Sequence, residues 1–159
     1  MDYAFCVQCG NSLEPSNDKE WDFECPNCKQ VYYNNPTPVV AALLFLDGEL
    51  VIVSSKNKEL WGLPGGYVSI KESLEEAIVR EIFEETNLRA RIIGFLKSYP
   101  LMKRGRNIVF IVFIAEVLNG DPVAGDDVKE LMILDPKEAY QHLTGKFAKK
   151  ALELWLASQ

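Results

Sequence analysis

Residues Trp61 to Leu88 read WGLPGGYVSIKESLEEAIVREIFEETNL, and the second half of this stretch has helical periodicity. Ser73 followed by Glu76 forms a capping box, in which the serine oxygen covers an orphan amide and the glutamate reaches back. Leu74, Ile78 and Ile82 recur at helical spacing, so one stripe can face a core. Asn87 stands where the helix should stop, and asparagine tolerates the left-handed conformation of a C-terminal cap. Glu81, Glu84 and Glu85 occupy i, i+3 and i+4, an arc of about 100° beside the apolar stripe.

Like charges at that spacing destabilise a helix, so they require a reason. One reading is a solvated acidic face. The other is a set of hard oxygen ligands converging as Mg²⁺ or Mn²⁺ requires. The spacing around them decides between the two. Gly66, five residues, Glu72, seven residues, Arg80-Glu81-Ile82, one residue, Glu84-Glu85, one residue and Asn87-Leu88 resembles the signature of the Nudix hydrolases. One specified position differs: the family has glycine where this chain has Asn87. Both residues suit a helix end with φ > 0.

The resemblance implies an α/β fold, a Nudix-type α/β/α sandwich with a mixed sheet, over roughly residues 37 to 159. It implies hydrolysis within the pyrophosphate of a nucleoside diphosphate linked to another moiety. Carried onto this chain, it makes Glu81, Glu84 and Glu85 ligands of catalytic Mg²⁺ or Mn²⁺, with the Gly66 carbonyl oxygen as a further ligand. Glu72 and Arg80 pair and brace the loop against the helix. A downstream carboxylate often serves as ligand or general base; loop composition selects Glu130, with Asp126 and Asp127 as alternates.

Composition agrees with a folded, water-exposed protein. The 159 residues, 48% hydrophobic and 25% charged, suffice for one ordinary domain plus a small module. No apolar run has the ~20 residues of a membrane helix and no signal peptide opens the chain, so a cytoplasmic protein without membrane contact is expected. The net charge of −6 disfavours nonspecific nucleic-acid binding and makes bridging cations necessary for an anionic substrate.

Residues 1–35 read as a separate unit, a small zinc ribbon ahead of a hydrolase domain over 36–159. Cys6-Val-Gln-Cys9 and Cys25-Pro-Asn-Cys28 are the only cysteines, and two such pairs can fill one tetrahedron around structural Zn²⁺. Gly10, Asn11, Pro26 and Asn27 suit the tight turns. Disulfides or a redox pair fit a leaderless chain less well. The segment is acidic, so it is expected to be structural or dimerising rather than to bind nucleic acid; Trp21, Phe23, Tyr32 and Tyr33 supply its small core and docking surface.

Asn34 to Pro38 reads as a linker. Strands are expected at Val39–Leu46, Glu49–Ser54, Arg91–Tyr99, Asn107–Leu118 and Leu131–Leu134, with Asp47-Gly48 a hairpin turn. Helices follow Asp135-Pro136, to about Leu143, and span Phe147–Leu156. His142 reads as structural or exposed. The basic turn Leu101–Arg106 is usually a solvated tip; Arg104 and Arg106 could instead hold a diphosphate. Trp61, Tyr67, Phe95 and Tyr99 are candidates to stack an adenine ring, though each could be core.

A zinc ribbon ahead of this domain resembles the NADH pyrophosphatase branch of the family. That branch carries Ser-Gln-Pro-Trp-Pro-Phe-Pro, where this chain has only Ser98-Tyr99-Pro100-Leu101-Met102. ADP-ribose or a similar ADP-linked dinucleotide (NADH, FAD) is therefore the expected substrate. A homodimer is expected from the resemblance and the basic hairpin. The competing function is a nucleotide-sensing regulatory or binding protein on the same fold.

Overall fold

The computed structural model describes residues 5–15, 22–56, 60–103, 106–125 and 127–159. Arg104, Asp126 and Trp21, singled out above, lie outside the described residues. The chain divides into two compact units, Met1–Thr37 with Pro100–Val109, and Pro38–Tyr99 with Phe110–Gln159. The hairpin tip thus groups with the N-terminal segment, where a simple boundary after residue 35 was expected.

In the first unit, β1 (Glu14–Pro15), β2 (Phe23–Glu24) and β3 (Val31–Tyr32) form a short antiparallel sheet. The two cysteine turns repeat one hydrogen-bond pattern. Cys6 N–H donates to Asn11 O and Gly10 N–H to Cys6 O; Cys25 N–H donates to Gln30 O and Lys29 N–H to Cys25 O. The fourth residue after each leading cysteine is left-handed, Gly10 at φ 75° and Lys29 at φ 62°. Lysine has a Cβ that this conformation disfavours by about 1 kcal/mol. Lys29→Gly is therefore expected to stabilise the metal-loaded ribbon by up to about 1 kcal/mol, read from its denaturant midpoint.

The second unit is organised by β4 (Thr37–Leu46), β5 (Glu49–Ser55), β6 (Trp61–Gly62), β7 (Gly65–Tyr67), α1 (Leu74–Thr86), β8 (Arg89–Lys103), β9 (Arg106–Asn119), β10 (Val128–Leu134), α2 (Pro136–His142) and α3 (Lys146–Leu156), of which Thr37, the end of β8 from Pro100 and the start of β9 to Val109 group with the first unit. The sheet order is β10-β5-β4-β9-β8, with β6 on β5 and β7 on β4. Asp47 and Gly48, both at positive φ, turn β4 into β5.

Successive strand residues face opposite sides. Ala41, Leu43, Leu50, Ile52 and Val112 pack with Ala139 of α2, Leu143 just after it, and Ala148, Ala151 and Leu152 from α3. Their neighbours Val40, Ala42, Leu44 and Val51 are equally buried, as are Ala77, Ile78 and Ile82 of α1. Helix α1 packs on β7 and β10. Burial of both faces explains why these strands are continuous apolar runs.

The capping box is present, and Asn87 ends α1 at φ 59°. Three expectations change. The bend expected at Leu63–Gly66 runs from one short strand, β6, into another, β7, whose Gly65 and Gly66 pair with β4 while β6 pairs with β5. Thr37 and Pro38, expected in the linker, open β4, where proline is tolerated at a strand start. Glu130, expected in a loop, lies in β10 opposite Ser54 beyond a register shift.

Candidate active site

The turn between β6 and α1 lies directly beneath the glutamates. Gly65 has φ 153°, and a Cβ there would stand 2.1 Å from Val40 O, so only glycine fits. A Cβ on Gly66 would stand 2.4 Å from Glu81 Oε1. The missing side chain is what admits the Glu81 carboxylate. Gly65 N–H donates to Glu85 Oε2 at 2.8 Å, which ties the same turn to a second glutamate.

Arg80 organises the exposed side of this arrangement. Its Nε and Nη2 donate to the two oxygens of Glu72 at 2.7 and 2.9 Å. Nη1 reaches Glu81 Oε1 at 2.8 Å and Glu84 Oε2 at 2.9 Å, while Nη2 also donates to Tyr67 O at 3.1 Å. Glu72 Oε2 in turn accepts from Ser69 N–H. One guanidinium therefore fastens the loop before α1 to three carboxylates. The Arg80 hydrogen bonds, then the Ser69 amide, hold the Glu72 carboxyl down at about 2. A depressed carboxylate contributes stability present above its ordinary 4.5 and lost as the pH falls toward 2.

Lysine cannot make this fork. Arg80→Lys is expected to lower turnover about 10–100-fold, the usual effect of losing a group that orients ligands, in steady-state rates at saturating metal.

Glu85 is in a different setting. It and Asp127 line a cleft of about 370 Å³ with Ser55, Leu60, Gly62 and Leu63. Burial pushes the Glu85 carboxyl up to about 7; the Gly65 amide opposes this, and Glu81, Asp127 and Glu84 add to it by repulsion. A carboxylate so placed is suited to a cation or a proton.

The remaining candidates are dispersed. Glu130 is exposed and stands 3.8 Å from Lys129; it does not line the cleft, whereas its alternate Asp127 does. Trp61 is half-buried against the core, its carbonyl accepts from Thr144, and its ring meets His142 edge-on. Tyr67 is 51% exposed and Phe95 60%. Tyr99 packs on Phe147. Arg106 is exposed at the start of β9.

In the first unit the sulfurs of Cys6, Cys9, Cys25 and Cys28 all lie within 4.8 Å of one another. The pairs Cys6–Cys28 and Cys9–Cys25 are 3.6 and 3.5 Å apart. Tetrahedral Zn²⁺ with bonds of about 2.3 Å has sulfurs roughly 3.8 Å apart, so the set fits a metal ion. Tyr32, read above as core, has a more specific place. Its hydroxyl accepts from Val7 N–H at 3.1 Å and lies 3.0 Å from Cys6 Sγ. That contact, ahead of the backbone amides, holds the Cys6 thiol down to about 6. Cys28 is pulled down by Gln30, but burial and the neighbouring sulfurs carry it up to about 12.

A sheet covered on both faces, with carboxylates gathered over a side-chain-free turn against a helix, is an α/β architecture whose acidic cluster suits a divalent cation. The NUDIX domain family model matches residues 35–156, and the chain belongs to that family. It is 37% identical over 119 residues to the ADP-ribose pyrophosphatase of Methanocaldococcus jannaschii, covering 69% of this chain and 70% of that one. It is 25% identical over 138 residues to the NAD-capped RNA hydrolase NudC of Shigella flexneri. That match covers 86% of this chain and 49% of NudC, so the chain spans about half the length of that relative. A crystal structure of a NUDIX hydrolase from Nitrosomonas europaea shares the fold with a TM-score of 0.83, over 98% of this chain and 91% of the other, at 23% identity. No helix among the described residues is long and apolar enough to cross a membrane.

Proposed function

We propose that this protein is a divalent-metal-dependent pyrophosphohydrolase of nucleoside diphosphate derivatives, with ADP-ribose or a similar ADP-linked dinucleotide as substrate. The observation that carries the reading is the half-buried Glu85 carboxylate, held on Gly65 N–H beside a Gly66 that leaves room for Glu81. The names of the relatives above point to the same bond in ADP-linked compounds.

In this reading Glu81, Glu84, Glu85 and the Gly66 carbonyl would hold Mg²⁺ or Mn²⁺, and the ion would supply charge neutralisation at the leaving phosphate and a lowered pKa for the attacking water. Arg80 and Glu72 keep Glu81 and Glu84 at fixed angles. Asp127, from the same cleft as Glu85, is the carboxylate placed to take a proton. The four cysteines hold structural Zn²⁺. The assembly is a homodimer: β8 is an edge strand with Ile93 and Phe95 exposed, an edge of the kind proteins cover. Sedimentation equilibrium checks that state.

The deciding experiment is a hydrolysis panel with Mg²⁺ or Mn²⁺, wild type beside Glu85→Gln, with products separated by chromatography. ADP-ribose, NADH, NAD⁺, FAD, diadenosine polyphosphates, nucleoside triphosphates and NAD-capped RNA are the substrates. AMP released from ADP-ribose or a dinucleotide by wild type alone supports the reading. Preference for the capped RNA would shift the substrate class to nucleic acid. No hydrolysis of any compound by folded, zinc-loaded protein would favour nucleotide sensing.

A further inference from the structure

The single departure from the family signature, Asn87, does more here than end a helix. We propose that Asn87 is a positioning residue, whose side-chain amide clamps the segment beginning at Gly120 onto the C-terminal end of α1 and so sets Asp127 against Glu85. This rests on the pyrophosphohydrolase reading. The last carbonyls of a helix have no partner within it. In α1 they are met from outside: Val123 N–H donates to Thr86 O and Gly125 N–H to Glu85 O, each at 3.0 Å. Asn87 Nδ2 donates to Asp121 O, also at 3.0 Å.

The segment lies flat on the helix, because a Cβ on Gly125 would stand 1.7 Å from Glu84 O. Beyond it, Val128 N–H closes on Gly125 O and Lys56 N–H donates to Asp127 O. The path from Asn87 through Asp121, Val123 and Gly125 thus delivers Asp127 to the cleft that Glu85 lines. Glycine at position 87 would keep the left-handed cap and its backbone N–H but lack the side-chain donor to Asp121 O. The asparagine adds a third fastening, the one of these three that comes from a side chain.

Asn87→Gly tests this in the full chain, since glycine accepts φ 59° without strain and folding is kept. Losing one exposed hydrogen bond changes a local equilibrium by about three- to tenfold. The Val123 and Gly125 amides are expected to exchange hydrogen that much faster, with Ile78 and Ile82 unchanged. The kcat for ADP-ribose should fall about three- to tenfold and KM stay within about twofold. Asn87→Asp, which keeps the size but removes the donor, should behave alike. Wild-type exchange at Val123 and Gly125 in both variants would overturn the clamp. Faster exchange with unchanged kcat would overturn the positioning role. Absence of hydrolysis by the wild type would instead sink the pyrophosphohydrolase reading and the positioning role with it, while exchange still decides the clamp.

Discussion

Glu85→Gln is expected to lower turnover at least a hundredfold while leaving KM within a few-fold, and to make the protein more stable in alkaline solution lacking Mg²⁺ and Mn²⁺. The two effects have one cause. Of Glu81, Glu84 and Glu85, Glu85 is the one Arg80 does not reach; its hydrogen bond is to Gly65 N–H, inside a cleft shared with Asp127. Its charge is not neutralised by a protein cation, so burial holds its carboxyl up near 7 rather than the ordinary 4.5. A raised carboxylate favours folding fully below about pH 4.5, and that contribution is lost as the pH rises through 7. Glutamine has no charge to bury, so the variant should match wild type near pH 4 and exceed it by about 2 kcal/mol at pH 8. Denaturant titrations at the two pH values, with the ribbon metal retained, measure this.

In the proposed mechanism the same uncompensated charge would hold a divalent cation. Removing a group that stabilises developing charge costs about 10²–10³ in kcat and little in substrate binding. A variant with normal turnover, or with wild-type stability at pH 8, would remove Glu85 from the centre of the mechanism. An active site that is stabilised by losing its key carboxylate is an ordinary stability–activity conflict.

The second large effect concerns the cysteines. Stripping the metal from the reduced protein, or replacing Cys25 with serine, is expected to unfold the N-terminal segment. Among the described residues up to Thr37, the only buried hydrophobic positions are Cys6 and Cys25 themselves. Strands of two residues each, β1 to β3, cannot supply a core. A metal held by the four cysteines would then supply much of the folding energy, about 10–16 kcal/mol for comparable zinc sites. Chelation under reducing conditions should collapse the dispersed amide resonances of Phe23, Val31 and Tyr32 while those of Ile78 and Leu152 persist. Retained dispersion without metal would show that the segment holds itself together.

Local chemistry made much of this legible. The capping box at Ser73 and Glu76, the left-handed Asn87 and the paired cysteine turns depend on neighbours a few residues away. The helix boundaries and the Asp47-Gly48 hairpin could be read for the same reason. Glu130 was harder. Acidic composition marked the region after Gly125, but pairing with β5 put Glu130 in β10 opposite Ser54, while Asp127, just before that strand, lines the cleft. Tyr32 looked like core because nothing local says that a tyrosine hydroxyl will meet a cysteine 26 positions away.

The sequence by itself determined that three glutamates share one helical arc, that glycines precede them, and that four cysteines come in two tight pairs. These follow from fixed helical geometry and from turns closed within a few bonds. Only the tertiary structure decided how the charges are divided. Arg80 takes Glu72, Glu81 and Glu84, and Glu85 is left to Gly65, 20 residues away, and to Asp127 across the cleft. That division is set by where the sheet and the loop after β9 pack against α1, contacts between segments far apart along the chain.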